Sequence, residues 1–315
     1  MENTAFRTDG ITAPEVDIMG IINVTGDSFY SGSRYLGEDG TPAVERILST
    51  AEKMIAEGAT IIDIGACSTR PGAEPVGEEE EWRRLEPALS ALWTRFPDIH
   101  ISIDTWWSSV IIMAHRLMLE IAGRAEPELI VNDISAGEDD PGMLPAAGRL
   151  GLRYIAMHKR GTSSTMQGMC DYDNVTEDVT RYFQNFGTKA AAAGVKEWIL
   201  DPGFGFAKTM EQNYRLLAGL GSFSRPGLFG SGTPPRILVG VSRKSMIYRL
   251  HGISPEESLS QTQVLHLAAL ERGATILRVH DVAEAARTVR TFNALRRDSD
   301  DNKDVIPGAG RTLRQ

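Results

Sequence analysis

The sequence predicts a single-domain (β/α)₈ barrel, the TIM-barrel architecture. Three observations predict it. Short apolar, β-branched-rich runs recur eight times. Helical patterns lie between most of them. Nearly every run ends on a hydrogen-bonding side chain. Strict alternation of strand and helix implies parallel strands joined by right-handed crossovers. Runs that are apolar throughout, without alternation, suit strands buried on both faces.

The predicted strands are 18–24, 60–65, 99–104, 129–133, 154–158, 198–201, 237–241 and 275–279. After strand one, 44–57 has helical periodicity and stops at Gly58, a left-handed C-terminal cap. After strand two, 79–96 is helical and ends before Pro97. Strand three leads to helix 108–121, followed by Gly123. After strand four, 141–150 has room for one or two helical turns. Strand five leads to 176–193, an alanine-containing helix that stops at Gly194. Before strand eight, Ser254 and Pro255 form a cap and first-turn pair that opens a helix over 255–272. An open doubly wound sheet is the alternative. It would bring GxGxxG after the first strand and polar residues at one switch point, and the sequence has neither.

At 315 residues the chain exceeds the ~250 that one α/β barrel uses. The division expected is an N-terminal extension over 1–16, a barrel over 17–296, and a disordered charged tail over 297–315. Residues 221–236 are rich in Gly, Ser and Pro and read as a loop before strand seven. The net charge of −9 argues against a nucleic-acid or anionic-membrane partner. Anionic small molecules stay possible at a local basic cluster. Cys67 and Cys170 form no CxxC pair, so neither a disulfide framework nor a zinc knuckle is indicated. The expected location is reducing cytoplasm, with no signal peptide and no transmembrane helix.

The strand ends carry Asn23, Asp63, Asp104, Asn132 with Asp133, His158, Asp201, Ser242-Arg243-Lys244, and Arg278 with His280. In such barrels the C-terminal strand ends form the active face. Any one of these residues is explained by a strand end meeting water. All of them converging on one mouth are not. Asp104, Asn132 and Asp201 suit the donor edge of a flat heterocycle. Arg70, Arg243, Lys244, Arg278 and His280 suit a phosphate or pyrophosphate. Asp63, inside strand two, reads as an internal hydrogen-bond partner.

Several features have plainer readings. GFGFAKT (203–209) is similar to a phosphate loop, but Ala207 stands where glycine must precede the lysine. Lys208 is therefore read as a loop lysine near the mouth. His100, His115, His251 and His266 lack metal-ligand spacing. Glu78 to Glu81 fit an acidic helix start. Trp106 and Trp107 read as packing over a helix start.

Eight segments together closely resemble the dihydropteroate synthase family: GIINVTGDSF (20–29), IIDIGACSTRPGAEPV (61–76), SIDT (102–105), VNDISAG (131–137), AMHKRGT (156–162), DPGFGFAKT (201–209), VGVSRKSMI (239–247) and RVHDV (278–282). They occur in the family's order. The resemblance implies a transferase of folate biosynthesis. It would join 6-hydroxymethyl-7,8-dihydropterin pyrophosphate to para-aminobenzoate and release pyrophosphate. It implies that Asp104, Asn132, Asp201 and Lys244 hold the pterin. Asn23, Thr69, Arg70, Arg278 and His280 would hold the pyrophosphate, with Mg²⁺ near Asn23. Ser28, Phe29, Phe206 and Ser245 would face the aminobenzoate. The implied catalytic set is Asp27, Lys244, Arg278 and His280, with Asp27 stabilising a pterin methylene cation or orienting the amine. A homodimer and inhibition by sulfonamides are implied in the same way.

One departure stands out: Gly26 lies where the family's first loop usually has proline, which widens the loop's conformational range. Two other functions compete. A pterin-binding methyltransferase would share the barrel and the acids but would not need SRKS or RVHDV. A non-catalytic pterin binder would bind without turnover.

Overall fold

The computed structural model describes residues 16–24, 35–36, 41–66, 76–122, 129–162, 164–230 and 232–301. Eight parallel strands close into a barrel in chain order. They are β1 (Asp17–Asn23), β2 (Ile61–Gly65), β3 (His100–Asp104), β4 (Leu129–Asp133), β5 (Arg153–Met157), β6 (Trp198–Asp201), β7 (Arg236–Val239) and β8 (Ile276–Val279). Among the described residues nine α-helices surround them: α1 (Val44–Glu57), α2 (Glu78–Arg95), α3 (Ser108–Ala122), α4 (Met143–Leu150), α5 (Val175–Ala192), α6 (Met210–Ala218), α7 (Ser245–His251), α8 (Leu259–Glu271) and α9 (Val282–Asp301). The eight expected strands are all present, shifted by no more than two residues at an end.

Two cores explain why the strands read as continuously apolar. Outward-facing side chains such as Ile62, Ile64, Ile101, Ile103, Val131 and Leu277 pack against the helices in one large cluster. Inside the barrel, Met19, Ile61, Ile130, Ile155, Ile199, Leu238 and Ile276 form a separate plug. Because strand side chains alternate with period two, the next inward position on each strand lies one layer nearer the C-terminal mouth. Two residues beyond the plug stand Ile21, Asp63, Asn132, Met157, Asp201, Gly240 and Arg278. Asp63, Asn132, Asp201 and Arg278 bring polar side chains to this one level, and that level is the floor of the site. At the opposite end Arg236 pairs with Asp17 at 2.6 Å, and Thr60 donates to the same carboxylate at 2.7 Å. These contacts tie β7, β1 and the start of β2 together.

Some local expectations need correction. The predicted helix 255–272 begins with a 3₁₀ turn, Glu256–Ser258, and α8 starts at Leu259. The cap at Ser254 is nevertheless formed: the Glu257 amide donates to Ser254 Oγ, and the Ser254 amide donates to Glu257 Oε2 at 2.9 Å. The segment before β7 is not bare loop. A 3₁₀ turn over Leu220–Ser224 opens it, and Phe223 and Phe229 are buried. Phe229 packs edge-on against Trp198 and Phe183. Helix α9 runs to Asp301, past the expected end of the barrel at 296; residues 302–315 lie outside the described residues. Glu78 to Glu81 do open α2 as an acidic first turn, as expected; Glu81 among them is fully buried, and burial pushes its carboxyl up to about 7.

Candidate active site

A small cavity at the C-terminal mouth is lined by Asp104, Asn132, Ile134, Met157, Asp201, Phe206, Gly240, Lys244 and Arg278. Six of these stand at inward positions of β3 to β6 and β8 or directly after β7. The fold thus brings together residues separated by up to 174 positions in the chain. Ile134, Met157 and Gly240 were not singled out in the sequence. Met157 and Gly240 could have been found by counting two residues on from Ile155 and Leu238.

Arg278 and Asp63 organise the floor. Asp63 is buried and accepts from Ser102 Oγ at 2.6 Å, Asn132 Nδ2 at 3.1 Å and Arg278 Nε at 2.6 Å. The guanidinium also donates through Nη2 to Asp104 at 2.9 Å. Burial works against its charge, but Asp63 and Asp104 more than offset this and raise its pKa, so it stays protonated. Asp104 is pushed up to about 7 by burial. Arg278 opposes the shift, while Asp63, Asp133 and Asp201 add to it. Asp201 is also raised by burial, with Lys244 opposing. Its Oδ1 accepts from the Gly203 amide at 2.8 Å.

Lys244 enters the cavity from the turn after β7. Arg243 before it holds φ of +53°, a left-handed conformation unusual for a side-chain-bearing residue, and this turn directs Lys244 inward. Lys244 Nζ donates to the Phe204 carbonyl and lies 4.8 Å from the Phe206 ring centre. Burial lowers its pKa to about 8, although Asp201 opposes the shift. With Lys244 and the Arg278–Asp104 pair in these positions, the cavity encloses about 40 Å³. That admits water but not a bicyclic ring.

The other predicted residues fall into three groups. Asn23 ends β1 half-buried, at the same mouth. His280 is exposed just beyond β8, with Nδ1 3.1 Å from Ser242 Oγ, and Ser245 is half-buried at the start of α7. Neither His280 nor Ser245 lines the cavity. Gly26, Asp27, Ser28, Phe29, Cys67, Thr69 and Arg70 lie outside the described residues.

One basic residue differs from expectation. Arg243 faces away from the cavity. It pairs with Asp281 through Nε at 2.8 Å and Nη2 at 2.9 Å, and Nη1 donates to the carbonyls of Pro255 and Glu256. It ties the β7–α7 turn to the segments before α8 and α9. Lys208 stands in the loop between β6 and α6 near the mouth, as expected, and is buried there at 4% exposure. Asp133, beside Asn132, points outward and accepts from Tyr154 and Ser135, so it shapes the turn after β4.

A closed parallel barrel that gathers Asp104, Asn132, Asp201, Lys244 and Arg278 at its C-terminal mouth defines an α/β-barrel protein with a polar, charged pocket at that face. Residues 19–280 match the model of the family described as pterin binding enzyme, and the chain belongs to that family. Within it, the chain is a member of the dihydropteroate synthase group. It is 39% identical over 279 residues to dihydropteroate synthase of Escherichia coli K12, covering 88% of this chain and 90% of that protein. The Yersinia pestis dihydropteroate synthase structure with a sulfonamide drug superposes with a TM-score of 0.78 at 36% identity, covering 91% of this chain and 96% of that one. The Burkholderia cenocepacia enzyme complexed with 7,8-dihydropteroate superposes with a TM-score of 0.75 at 36% identity, covering 92% and 95%.

Proposed function

We propose that the chain condenses 6-hydroxymethyl-7,8-dihydropterin pyrophosphate with para-aminobenzoate, giving 7,8-dihydropteroate and pyrophosphate. The observation that carries this is the cavity itself. Asp104, Asn132, Asp201, Lys244 and Arg278 converge there, acceptors and cations lining one pocket. The carboxylates accept from the amino and ring N–H groups of the pterin, and Asn132 supplies an amide. Arg278 offers its guanidinium to the pyrophosphate, and Lys244 spans pterin and aminobenzoate beside Phe206. Departure of pyrophosphate leaves a methylene cation delocalised into the pterin ring; the aryl amine attacks it, and the resulting ammonium loses its proton to solvent or to the released pyrophosphate. No covalent bond to the protein is needed. Asn23, Thr69, Arg70 and His280 complete the pyrophosphate site in this reading. Asp27, Ser28, Phe29 and Ser245 complete the aminobenzoate side.

Pterin entry requires Lys244 to leave the Phe204 carbonyl and Arg278 to release Asp104. The ring's donor edge replaces the guanidinium at Asp104 and frees it for the pyrophosphate.

Magnesium fits this site as an ion that arrives with the substrate. The described residues hold no cluster of three His, Cys, Asp or Glu side chains suited to a metal. Asn23 would supply one amide oxygen, in keeping with the way Mg²⁺ takes few protein ligands and completes its shell with phosphate oxygens and water. When bound it would neutralise charge on the departing pyrophosphate.

We also propose a cytoplasmic homodimer. Among the described residues no helix is long and apolar enough to cross a membrane. Helix α8 has apolar residues all round, and Leu250 on α7 and Val264 on α8 are 51% and 65% exposed. Pyrophosphate release from the two substrates, dependent on Mg²⁺, tests the activity. The mass of the particle in solution tests the dimer.

A further inference from the structure

We propose that Lys208 is a positioning residue for the pterin-reading carboxylate Asp201 and for Phe206; this rests on the pterin reading above. Lys208 is 4% exposed, and among the described residues no carboxylate lies within ion-pair distance of it. Its ammonium uses its three donors on Gly203 O at 2.9 Å, Phe206 O at 3.0 Å and His158 Nδ1 at 3.0 Å. A buried lysine is costly unless such acceptors are supplied. Burial lowers the Lys208 pKa to about 7, with Asp201 opposing, and burial with Lys208 beside it holds the His158 imidazole far below its usual range, so Lys208 donates and His158, 2% exposed, accepts.

The contacts lead directly to the site. Gly203 accepts from Lys208 through its carbonyl and donates to Asp201 Oδ1 through its amide at 2.8 Å. The His158 amide donates to the Asp201 carbonyl at 3.0 Å. One ammonium thus fixes both neighbours that orient Asp201, and its third acceptor is the backbone of Phe206, a cavity wall. The loop between β6 and α6 needs this hold. Gly203, Gly205 and Ala207 all have positive φ, of 69°, 84° and 48°. A Cβ at Gly203 would lie 2.0 Å from the His158 carbonyl oxygen. Asn213 closes the other side, accepting from the Gly205 amide at 2.7 Å.

A lysine that served stability alone would loosen every ligand together when removed. A lysine that positions Asp201 affects the pterin and spares the pyrophosphate. The test measures dissociation constants for 6-hydroxymethylpterin and for inorganic pyrophosphate with the full chain carrying Lys208→Met, beside Asp201→Asn. Expected is a pterin affinity weaker by about tenfold or more, with pyrophosphate affinity within about twofold of wild type. Should Lys208→Met not fold, His158→Leu and His158→Gln decide. Leucine removes the acceptor and weakens pterin binding, whereas glutamine supplies a carbonyl and restores it. Unchanged pterin affinity in Lys208→Met or His158→Leu, while Asp201→Asn weakens it, overturns this proposal alone. Pterin and pyrophosphate affinities falling together also overturns it. Unchanged pterin affinity in Asp201→Asn overturns the pterin reading and this proposal with it.

Discussion

Replacing Asp63 with alanine should damage both stability and turnover, although Asp63 does not line the cavity. Its carboxylate is buried and accepts three hydrogen bonds, from Ser102, Asn132 and Arg278. Removing one partner of a buried ion pair costs about 3–5 kcal/mol, because the remaining charge is left uncompensated. Arg278 keeps Asp104 at 2.9 Å, which places the expected cost near the lower end, about 3 kcal/mol. For a domain of this size each kcal/mol moves the melting temperature by about 2–4 °C, so a fall of roughly 6–12 °C follows. Turnover suffers separately. Asp63 holds Nε and so aims the guanidinium, and a displacement of about 1 Å at a reacting group can cost about a hundredfold. Thermal unfolding by circular dichroism and pyrophosphate release at saturating substrates measure the two effects. A melting temperature within about 2 °C of wild type with turnover unchanged would refute the assignment of Asp63 as the anchor of Arg278.

Pterin affinity should follow a bell-shaped pH profile. Asp104 is raised from 3.8 to about 7, so the folded protein holds that proton more tightly than the unfolded chain; this group's contribution to stability falls as pH rises from about 4 to about 7, while pterin affinity rises as the carboxylate forms. Lys244, lowered to about 8, loses its proton above that and affinity declines; Asp104→Asn should alter the acid limb and leave the alkaline limb, as isothermal titration would show. Arg243→Ala should lower the melting temperature by breaking the pair with Asp281, yet leave pyrophosphate affinity within about twofold, since Arg243 points away from the cavity; a loss of pyrophosphate binding with stability retained would return it to the site. A metal chelator should abolish pyrophosphate release while leaving 6-hydroxymethylpterin binding intact, and loss of both would place the ion at the pterin.

The barrel was legible because its strands are buried on both sides and appear as apolar runs in a regular order. The floor was legible in part for the same reason: a polar residue ending such a run has few places to go except the mouth. Asp63 could be recognised as an internal partner because it interrupts a buried strand. Helices α6, α7 and α9 were not individually recognised. The first two are short, with little room for periodicity, although Thr209 and Gln212 carry a capping box that marks the start of α6. Arg243 and Lys208 show what residue type alone does not decide. Arg243 sits one residue before a cavity lysine, yet a left-handed turn and a carboxylate 38 positions away draw it to the outside. Lys208 lies in a glycine-rich loop, and residue type alone does not say whether a loop lysine is buried. Its burial depends on carbonyls and a histidine that only the closed barrel brings together. The cavity's closed form, set by Lys244 and the Arg278–Asp104 pair, likewise arises from contacts between distant strands.

The most direct measurement incubates the protein with 6-hydroxymethyl-7,8-dihydropterin pyrophosphate, para-aminobenzoate and Mg²⁺, and follows pyrophosphate and dihydropteroate together. Equal amounts of both are expected, lost in Arg278→Ala, with 6-hydroxymethylpterin still bound by that variant. Tight pterin binding with neither product formed by the wild-type protein would contradict the proposed condensation. The chain would then be a pterin binder, and Gly26 in the first loop would be the next position to change.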